Sequence, residues 1–277
     1  MSRSAPRRPR ARRAPKETLS ALARASRSGL ITVADAAEAL GVSRAGAASS
    51  LAALARRGWL ERARRGLYFV LPLEASGDGA TVEDPWVLAQ VLFAPCYVAG
   101  WSAAEHWGLT EQVFQATFIA SSASVRARSQ RVLGLDFRLA SVPAARFSGT
   151  TLVWRGRERV PVSDPTGTIA DGLASPSWVG GVRHLARMLG TYRADASWDA
   201  AELVARLDAI GSGAAFKRLG FLVETLGLDG PTVVDTALDH RTAGVVRLDP
   251  DVPGKGRLTK RWGLWVNARV DGQEDLA

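Results

Sequence analysis

The sequence is poor in the residues that cross-link chains or bind metals. Its 277 residues include one cysteine, Cys96, and three histidines, His106, His184 and His240, which lie far apart. A disulfide framework needs paired cysteines, and a zinc site needs several cysteine or histidine ligands at short spacing. We therefore expect no disulfide, no metal site and no other cofactor, and a cytoplasmic location in a reducing compartment.

Long apolar runs are lacking as well. No stretch approaches the ~20 apolar residues that span a bilayer. Arg24 and Arg27 interrupt the segment after the basic N terminus, so we expect no secretory signal and no membrane partner. A composition of 47% hydrophobic and 23% charged residues is typical of a protein with a folded core. The length is sufficient for two domains.

Positive charge is concentrated at the N terminus. The net charge is +9, from 36 basic and 27 acidic residues. Residues 1–16 contain seven basic side chains and no acidic ones, and residues 17–74 contain eight basic and five acidic ones, which leaves the rest of the chain close to neutral. A genome rich in G and C can explain why the chain contains many arginines, but it does not explain why acidic residues balance them everywhere except near the N terminus. An arginine-rich end suggests an anionic partner, such as nucleic acid.

Residues 1–16 are predicted to be a disordered basic arm. Residues 17–74 are predicted to form a winged helix-turn-helix domain. A first helix begins at Glu17. Thr32 caps a second helix that ends at Gly41, and Val42 is expected to face inward in the turn. Ser43 then caps a third helix, which runs to about Arg57.

Two short strands are predicted at residues 59–61 and 67–71. The turn between them, residues 62–66, contains three arginines and a glycine. In a winged helix the third helix enters the major groove, and the hairpin reaches a flanking phosphate or the minor groove.

The third helix and the hairpin supply the candidate DNA-binding residues. Arg44 is the main candidate for reading a base or binding a phosphate, followed by Ser43 and Ser49. The candidate phosphate-binding residues are Arg56, Arg62, Arg64 and Arg65. Alternatively, Arg56 and Arg57 are favourable charges at a helix C terminus. The arm either lies in a minor groove or has no role.

Residues 75–82 form a predicted linker, residues 83–270 a larger mixed α/β domain, and residues 271–277 a tail. Helices are predicted at 84–93, 101–106, 165–173, 182–192, 198–209 and 214–226. Strands are predicted at 96–99, 117–120, 136–139, 152–154, 160–162, 245–248 and 262–266. The overall class is α+β.

The larger domain has few features of an enzyme. Dinucleotide-binding, phosphate-loop and nucleophile-elbow motifs are all lacking. Asp164 and Asp171 could pair in space, but an aspartate before Pro165 is more typical of a helix cap. The eight tryptophans of this domain are expected to be core residues. The sequence thus predicts a protein without enzymatic activity.

Several motifs, in order and spacing, resemble the AbiE-type antitoxins (AbiEi family) of type IV toxin–antitoxin systems. The resemblance runs from about Glu17 to Asn267, and the long basic arm departs from it. The segments that carry it are residues 64–68, 97–112, 164–171, 180–181, 216–227, 248–250 and 261–267.

The resemblance implies a winged-helix domain that binds operator DNA and represses its own operon. It also implies a second domain that counteracts a nucleotidyltransferase-like toxin without forming a stable complex, with direct contact as the alternative. The basic residues that we consider for contact with the toxin or its RNA target are Lys217, Arg218, Lys260 and Arg261. The interpretation that we favour for these four is helix-end charge and packing.

Two other functions remain open. The first is a stand-alone winged-helix transcriptional regulator whose second domain senses a small ligand. The second is a nucleic-acid-processing enzyme that depends on Asp164 or Asp171.

Overall fold

The computed structural model describes residues 15–26, 29–70, 84–156, 158–228 and 231–270. The chain divides into two compact units, and the division along the chain falls between residues 83 and 84. The predicted α+β class is confirmed. The predicted linker and tail, and residues 1–14 of the predicted arm, lie outside the described residues. The last two residues of that arm, from Pro15, already belong to the first helix.

Within residues 15–26 and 29–70, the first unit has three helices and a three-stranded antiparallel sheet. Its elements are α1 (Pro15–Ala25), β1 (Leu30–Thr32), α2 (Val33–Leu40), α3 (Arg44–Arg56), β2 (Leu60–Arg64) and β3 (Leu67–Val70). The strand order is β1-β3-β2. This succession of elements is the one that the winged-helix prediction requires. Strand β1 is not predicted, because Leu30 and Ile31 form too short an apolar run.

The core of the first unit lies between the three helices and the sheet. Leu22 of α1, Ile31 of β1 and Leu51 of α3 are fully buried and belong to one apolar cluster. Tyr68 and Val70 of β3 complete that cluster from the sheet. The apolar spacing seen in the sequence is therefore the contact face of each helix.

The second unit is built on a six-stranded mixed sheet with the order β6-β7-β5-β4-β9-β8. The strands are β4 (Cys96–Val98), β5 (Thr117–Ser121), β6 (Ser129–Val132), β7 (Leu135–Ser141), β8 (Thr150–Arg155) and β9 (Glu158–Ser163). Strand β4 pairs antiparallel with β5 and parallel with β9, and β5 pairs parallel with β7. A smaller sheet has the order β10-β12-β11, from Val246–Arg247, Leu264–Val266 and Arg257–Thr259.

Seven α-helices accompany these sheets within the described parts of residues 84–270. They are α4 (Pro85–Phe93), α5 (Gly100–His106), α6 (Pro165–Ala174), α7 (Val182–Ala194), α8 (Ala200–Ile210), α9 (Gly213–Leu226) and α10 (Pro231–His240). Two short 3₁₀ helices cover Ala144–Gly149 and Pro176–Val179. Helix α10 is not predicted, because Thr232, Val233 and Val234 lower the helix propensity of its first turn.

Helices α6, α7 and α9 form most of the larger apolar core. Trp262 is 1% exposed and packs against α9 at Gly220, where an added Cβ would lie 1.9 Å from the indole ring. Glycine is therefore required at this helical position by close approach. The expectation that the tryptophans are core residues is wrong for Trp154, which is 61% exposed on the edge strand β8.

A buried arginine connects the end of α6 to the smaller sheet. The Arg218 guanidinium donates to the carbonyl oxygens of Leu173 (2.8 Å), Leu248 (2.9 Å) and Arg247 (3.3 Å). The side chain is 3% exposed, and burial lowers its pKa to about 10 while nearby Asp249 opposes that shift. Arg218 therefore remains charged at neutral pH and satisfies carbonyl groups that the helix end leaves without partners.

Asp249 provides a buried negative charge at the start of α7, where backbone N–H groups need acceptors. Its carboxylate accepts a hydrogen bond from Val182 N (2.8 Å) and another from Asp251 N (3.1 Å). Asn267 holds the Asp249 backbone through bonds to both its N–H and its carbonyl oxygen. A buried cation at one helix end and a buried anion at another thus position the smaller sheet.

Within the described residues, no helix is both long enough and apolar enough to cross a membrane.

We expect Arg218→Met to lower the free energy of unfolding of the second unit by roughly 3 kcal/mol, because several buried carbonyl oxygens lose a charged donor. Denaturant unfolding followed by tryptophan fluorescence measures this, since eight of the nine tryptophans lie in this unit. The control is Arg247→Met, which removes an exposed arginine from β10 and should change stability by less than about 0.5 kcal/mol. Equal stability of the two variants would contradict the role given to Arg218.

Candidate nucleic-acid interface

Helix α2 begins with a reciprocal cap. Asp35 N donates to Thr32 Oγ1 (3.2 Å), and Thr32 N donates in return to Asp35 Oδ2 (3.3 Å). The predicted Thr32 cap is confirmed. The second bond completes a capping box in which aspartate takes the place of the usual glutamate.

The turn between α2 and α3 is closed by backbone hydrogen bonds. Gly41 adopts a left-handed φ of 64°, and its N–H donates to the carbonyl oxygen of Glu38 (3.1 Å). Val42 N donates to Ala37 O (3.0 Å), and Ser43 Oγ accepts from Gly46 N (3.1 Å) to cap α3. The expectation that Val42 faces inward is wrong. Its side chain is 44% exposed, because the backbone bonds close the turn without an apolar anchor.

Helix α3 has a buried face and an exposed face of small side chains. Ala47, Leu51 and Leu54 pack into the core of the first unit, as predicted. The opposite side carries the predicted contact residues Ser43, Arg44, Ser49 and Arg56, all of them exposed. Gly46 and Ala53, between them, are half-buried.

The hairpin of β2 and β3 carries the other predicted arginines. Arg62 lies opposite Tyr68 and Arg64 opposite Leu67, with a bulge at Ala63 between them. Strand β2 therefore runs through Arg64, and Arg65 and Gly66 form the turn. Placing all three arginines in the turn was wrong for Arg62 and Arg64.

The turn of the hairpin is hydrogen-bonded to the start of α2. Gly66 has a φ of 80°, and its carbonyl oxygen accepts a hydrogen bond from Val33 N (3.1 Å). This bond holds the turn next to the capped end of α2. The three hairpin arginines are exposed, and neither Arg62 nor Arg65 forms an ion pair with another described residue.

In the second unit, Lys217 and Arg218 are buried, at 1% and 3% exposure. Lys217 Nζ donates to Gly244 O (2.7 Å), and burial lowers the pKa of this amine. Both side chains therefore have the packing role that we favour from the sequence, and neither is exposed for the contact with a toxin or RNA that we also consider. Lys260 is exposed, and Arg261 Nε lies 2.8 Å from Glu224 Oε1.

Asp164 and Asp171 each bind their own partners. Asp164 Oδ1 accepts from Gly167 N (2.6 Å) and caps α6, as predicted. Asp171 is 4% exposed, binds Arg146 and accepts from Tyr97 Oη (3.3 Å). Burial raises the pKa of Asp171 to about 6, and the Arg146 charge opposes the shift. Among the residues that the structure describes, no cluster of histidine, cysteine and carboxylate side chains could hold a metal ion.

Residues 17–70 match a protein-family model described as "Transcriptional regulator, AbiEi antitoxin". We refer to these residues as the AbiEi-type domain. The match covers the capped helices, the turn and the arginine hairpin.

Comparison with curated protein sequences finds no match. Among solved structures, the crystal structure of the RV2827C protein from Mycobacterium tuberculosis is similar, with a TM-score of 0.61 and 22% sequence identity. The similarity covers 91% of this chain and 92% of that chain. At this identity the similarity shows the fold of both units and nothing further.

The sequence identified the exposed candidate contact residues of the AbiEi-type domain, but it did not indicate two other features of the candidate site. One is the Val33–Gly66 backbone bond, which joins segments far apart in the chain and leaves no sequence signal. The other is Trp59, which is 36% exposed between α3 and the hairpin. Its position after Gly58, at a turn, is the one signal that could have indicated exposure.

Two glycine substitutions in the AbiEi-type domain should have opposite effects. We expect Gly46→Ala to leave stability unchanged or raise it by up to about 1 kcal/mol, because a Cβ there meets its nearest neighbour, Ser43 Oγ, at 3.4 Å and helices favour alanine. We expect Gly41→Ala to lower stability by about 1 kcal/mol, because alanine is strained at a φ of 64°. Thermal unfolding of both variants measures the difference. Equal melting temperatures would contradict the left-handed turn.

Proposed function

We propose that the AbiEi-type domain is a winged helix that binds double-stranded operator DNA and represses the operon that encodes this chain. The observation that carries the proposal is the exposed, small-residue face of α3 in the same unit as an arginine-bearing hairpin. The family model, which describes a transcriptional regulator, supports the same conclusion.

Helix α3 has the surface expected of a recognition helix. A major groove about 12 Å wide admits an α-helix, and small side chains such as Ala45, Gly46 and Ser49 let the helix axis approach the bases closely. Arg44 lies in the first turn, where recognition helices contact base edges, and a guanidinium can bind guanine O6 and N7 together. Arg44 is therefore the base-reading residue, with Ser43 and Ser49 beside it on the exposed face.

The remaining arginines act on the DNA backbone. Arg56, Arg62, Arg64 and Arg65 are exposed cations on α3 and the hairpin. Such side chains bind phosphates and release condensed counterions, so their contribution is independent of sequence and weakens with salt.

We further propose that the chain is an antitoxin without enzymatic activity that acts in the cytoplasm. Its second unit counteracts a nucleotidyltransferase-like toxin encoded in the same operon, without forming a stable complex. The family description as an antitoxin supports this, together with the second-unit motifs that resemble AbiE-type antitoxins. Of the four basic residues considered for contact, Lys260 and Arg261 remain the exposed candidates.

We expect Arg64→Ala and Arg65→Ala to weaken binding to a promoter duplex and to an unrelated duplex alike. Each loss of a phosphate contact should lower the slope of log affinity against log salt by about 1.

We expect Arg44→Ala to weaken the binding free energy for the promoter duplex alone by about 1–3 kcal/mol, because a base contact is lost. Fluorescence anisotropy at several salt concentrations measures all three. Arg159→Ala, which removes an exposed arginine from β9, is the control.

Two results would contradict the proposed interface. One is a promoter affinity that none of the three substitutions changes, and the other is a loss of affinity in Arg159→Ala as large as that in Arg65→Ala. The first outcome would place DNA binding elsewhere. The second would show a dependence on net charge alone.

The two proposed activities should separate genetically. With the adjacent toxin gene expressed, we expect the triple variant Arg44→Ala, Arg64→Ala, Arg65→Ala to restore growth as well as the natural chain, while repression of a promoter reporter is lost. The reason is that neutralisation is assigned to the second unit. Loss of growth rescue in a folded triple variant would contradict that division.

One observation also favours the ligand-sensing alternative. The second unit contains a cleft between α6, α8 and the 3₁₀ helix Ala144–Gly149. A small molecule bound there would give the second unit a sensing role.

A further inference from the structure

A cleft of the second unit is lined by residues that include two arginines and two glycines. The empty space in it, with the open mouth counted, is about 360 Å³. The lining residues include Arg146 and Gly149 from one segment, Gly167 and Asp171 from a second, and Arg206 from a third. Three separate chain segments therefore bring polar side chains to one place.

Both arginines are largely buried and held in position by carboxylates. The side chains of Arg146 and Arg206 are 18% and 21% exposed. Arg206 donates from Nε to Glu202 Oε1 (2.6 Å) and from an Nη atom to Asp164 Oδ2 (3.3 Å). Arg146 binds Asp171 through one Nη atom. The carboxylates thus orient two guanidinium groups that would otherwise be mobile.

Each guanidinium retains N–H donors that no described residue accepts. For Arg206 this is the other Nη atom, which lies 2.8 Å from the position that a Cβ on Gly149 would take. For Arg146 it is Nε and the second Nη atom. Guanidinium donors left free in this way match the oxygen atoms of a phosphate or carboxylate.

Backbone atoms also line the cleft. Gly167 belongs to the first turn of α6, and its N–H already donates to Asp164 Oδ1, so the open donors of the cleft are those of the guanidinium groups. A Cβ at Gly167 would lie 2.9 Å from Gly149 O, so the chain segments approach closely there. The carboxylates of Asp164, Asp171 and Glu202 all accept hydrogen bonds from guanidinium or backbone donors.

We propose that this cleft binds the oxyanion group of a small molecule, a phosphate or a carboxylate, between Arg146 and Arg206. Ala170, Ala209 and Ile210 supply an apolar wall beside the anion. The proposal does not depend on DNA binding by the first unit.

Isothermal titration of the full-length protein with inorganic phosphate at constant ionic strength tests the proposal. We expect saturable binding of one phosphate per chain, and a phosphate-dependent rise in melting temperature that follows the same Kd. Adenosine monophosphate and acetate form two further arms. Tighter binding of the nucleotide assigns the site to phosphate esters, and tighter binding of acetate assigns it to carboxylates; both results support an oxyanion site.

Three variants locate the site. Arg206→Gln removes one guanidinium and should raise the Kd about tenfold or more, since a charge-assisted hydrogen bond is lost. Gly149→Ala keeps both charges but places a methyl group against Arg206, and it should weaken phosphate binding to a similar extent in a chain that still folds. Arg126→Gln removes an exposed arginine outside the cleft and should leave the Kd unchanged.

Absence of saturable binding up to tens of millimolar phosphate would overturn the proposal. So would an equal loss of affinity in Arg126→Gln and Arg206→Gln, which would indicate attraction to net charge. Unchanged binding in a folded Gly149→Ala chain would place the anion outside this cleft.

Discussion

The guanidinium of Arg218 lies inside the second unit and donates to carbonyl oxygens from the end of α6 and from the segment around β10. Strand β10 has two residues and the smaller sheet three short strands, which is too little backbone pairing to hold the sheet in place by itself. The buried cation provides what the short strands lack. It connects them to the helical core through bonds that a neutral side chain of similar size could not form.

The same device recurs with the opposite charge. Asp249 caps α7 from the smaller sheet, and Asp164 caps α6 while binding Arg206 from α8. Asp249 thus satisfies the start of a helix that is distant in the chain, whereas Asp164 caps its own helix and connects that cap to α8 through Arg206. A helix terminus leaves several backbone groups without partners, so these caps are also the long-range contacts that set helix positions. Packing of the apolar core then follows an arrangement that the polar side chains have already restricted.

How far the sequence predicts this fold depends on how local each signal is. Thr32, Ser43 and Asp164 each accept a hydrogen bond from the amide group three residues further on, so their capping roles could be predicted directly from the sequence. Lys217 and Arg218 could not be placed in the same way. Their partners, Gly244, Leu173 and Leu248, lie 27 to 45 residues away, and only the folded chain shows that two adjacent basic residues on a helix both point inward.

The candidate interface was predictable for a related reason. Helical periodicity identifies the buried face of α3, and its exposed face follows by elimination. The position of Arg62 and Arg64 on β2 was not predictable, because the bulge at Ala63 depends on pairing with β3. The cleft between Arg146 and Arg206 could not be predicted from the sequence, because it is built from three segments that are separated by many residues.

The arginines of the two units differ in whether their charge is compensated within the fold, and this difference shows which part of the net charge is available to a partner. In the second unit Arg146, Arg206 and Arg218 are bound to carboxylates or carbonyl oxygens, so much of their charge serves internal structure. In the first unit Arg44 and Arg65 are exposed and form no ion pair with another described residue. A positive charge that is not compensated within the fold attracts anions from solution more strongly than a compensated one. The distribution of partners, more than the number of arginines, therefore supports the proposed DNA binding by the first unit. In the second unit it limits the proposed anion site to the few guanidinium donors left open in the cleft.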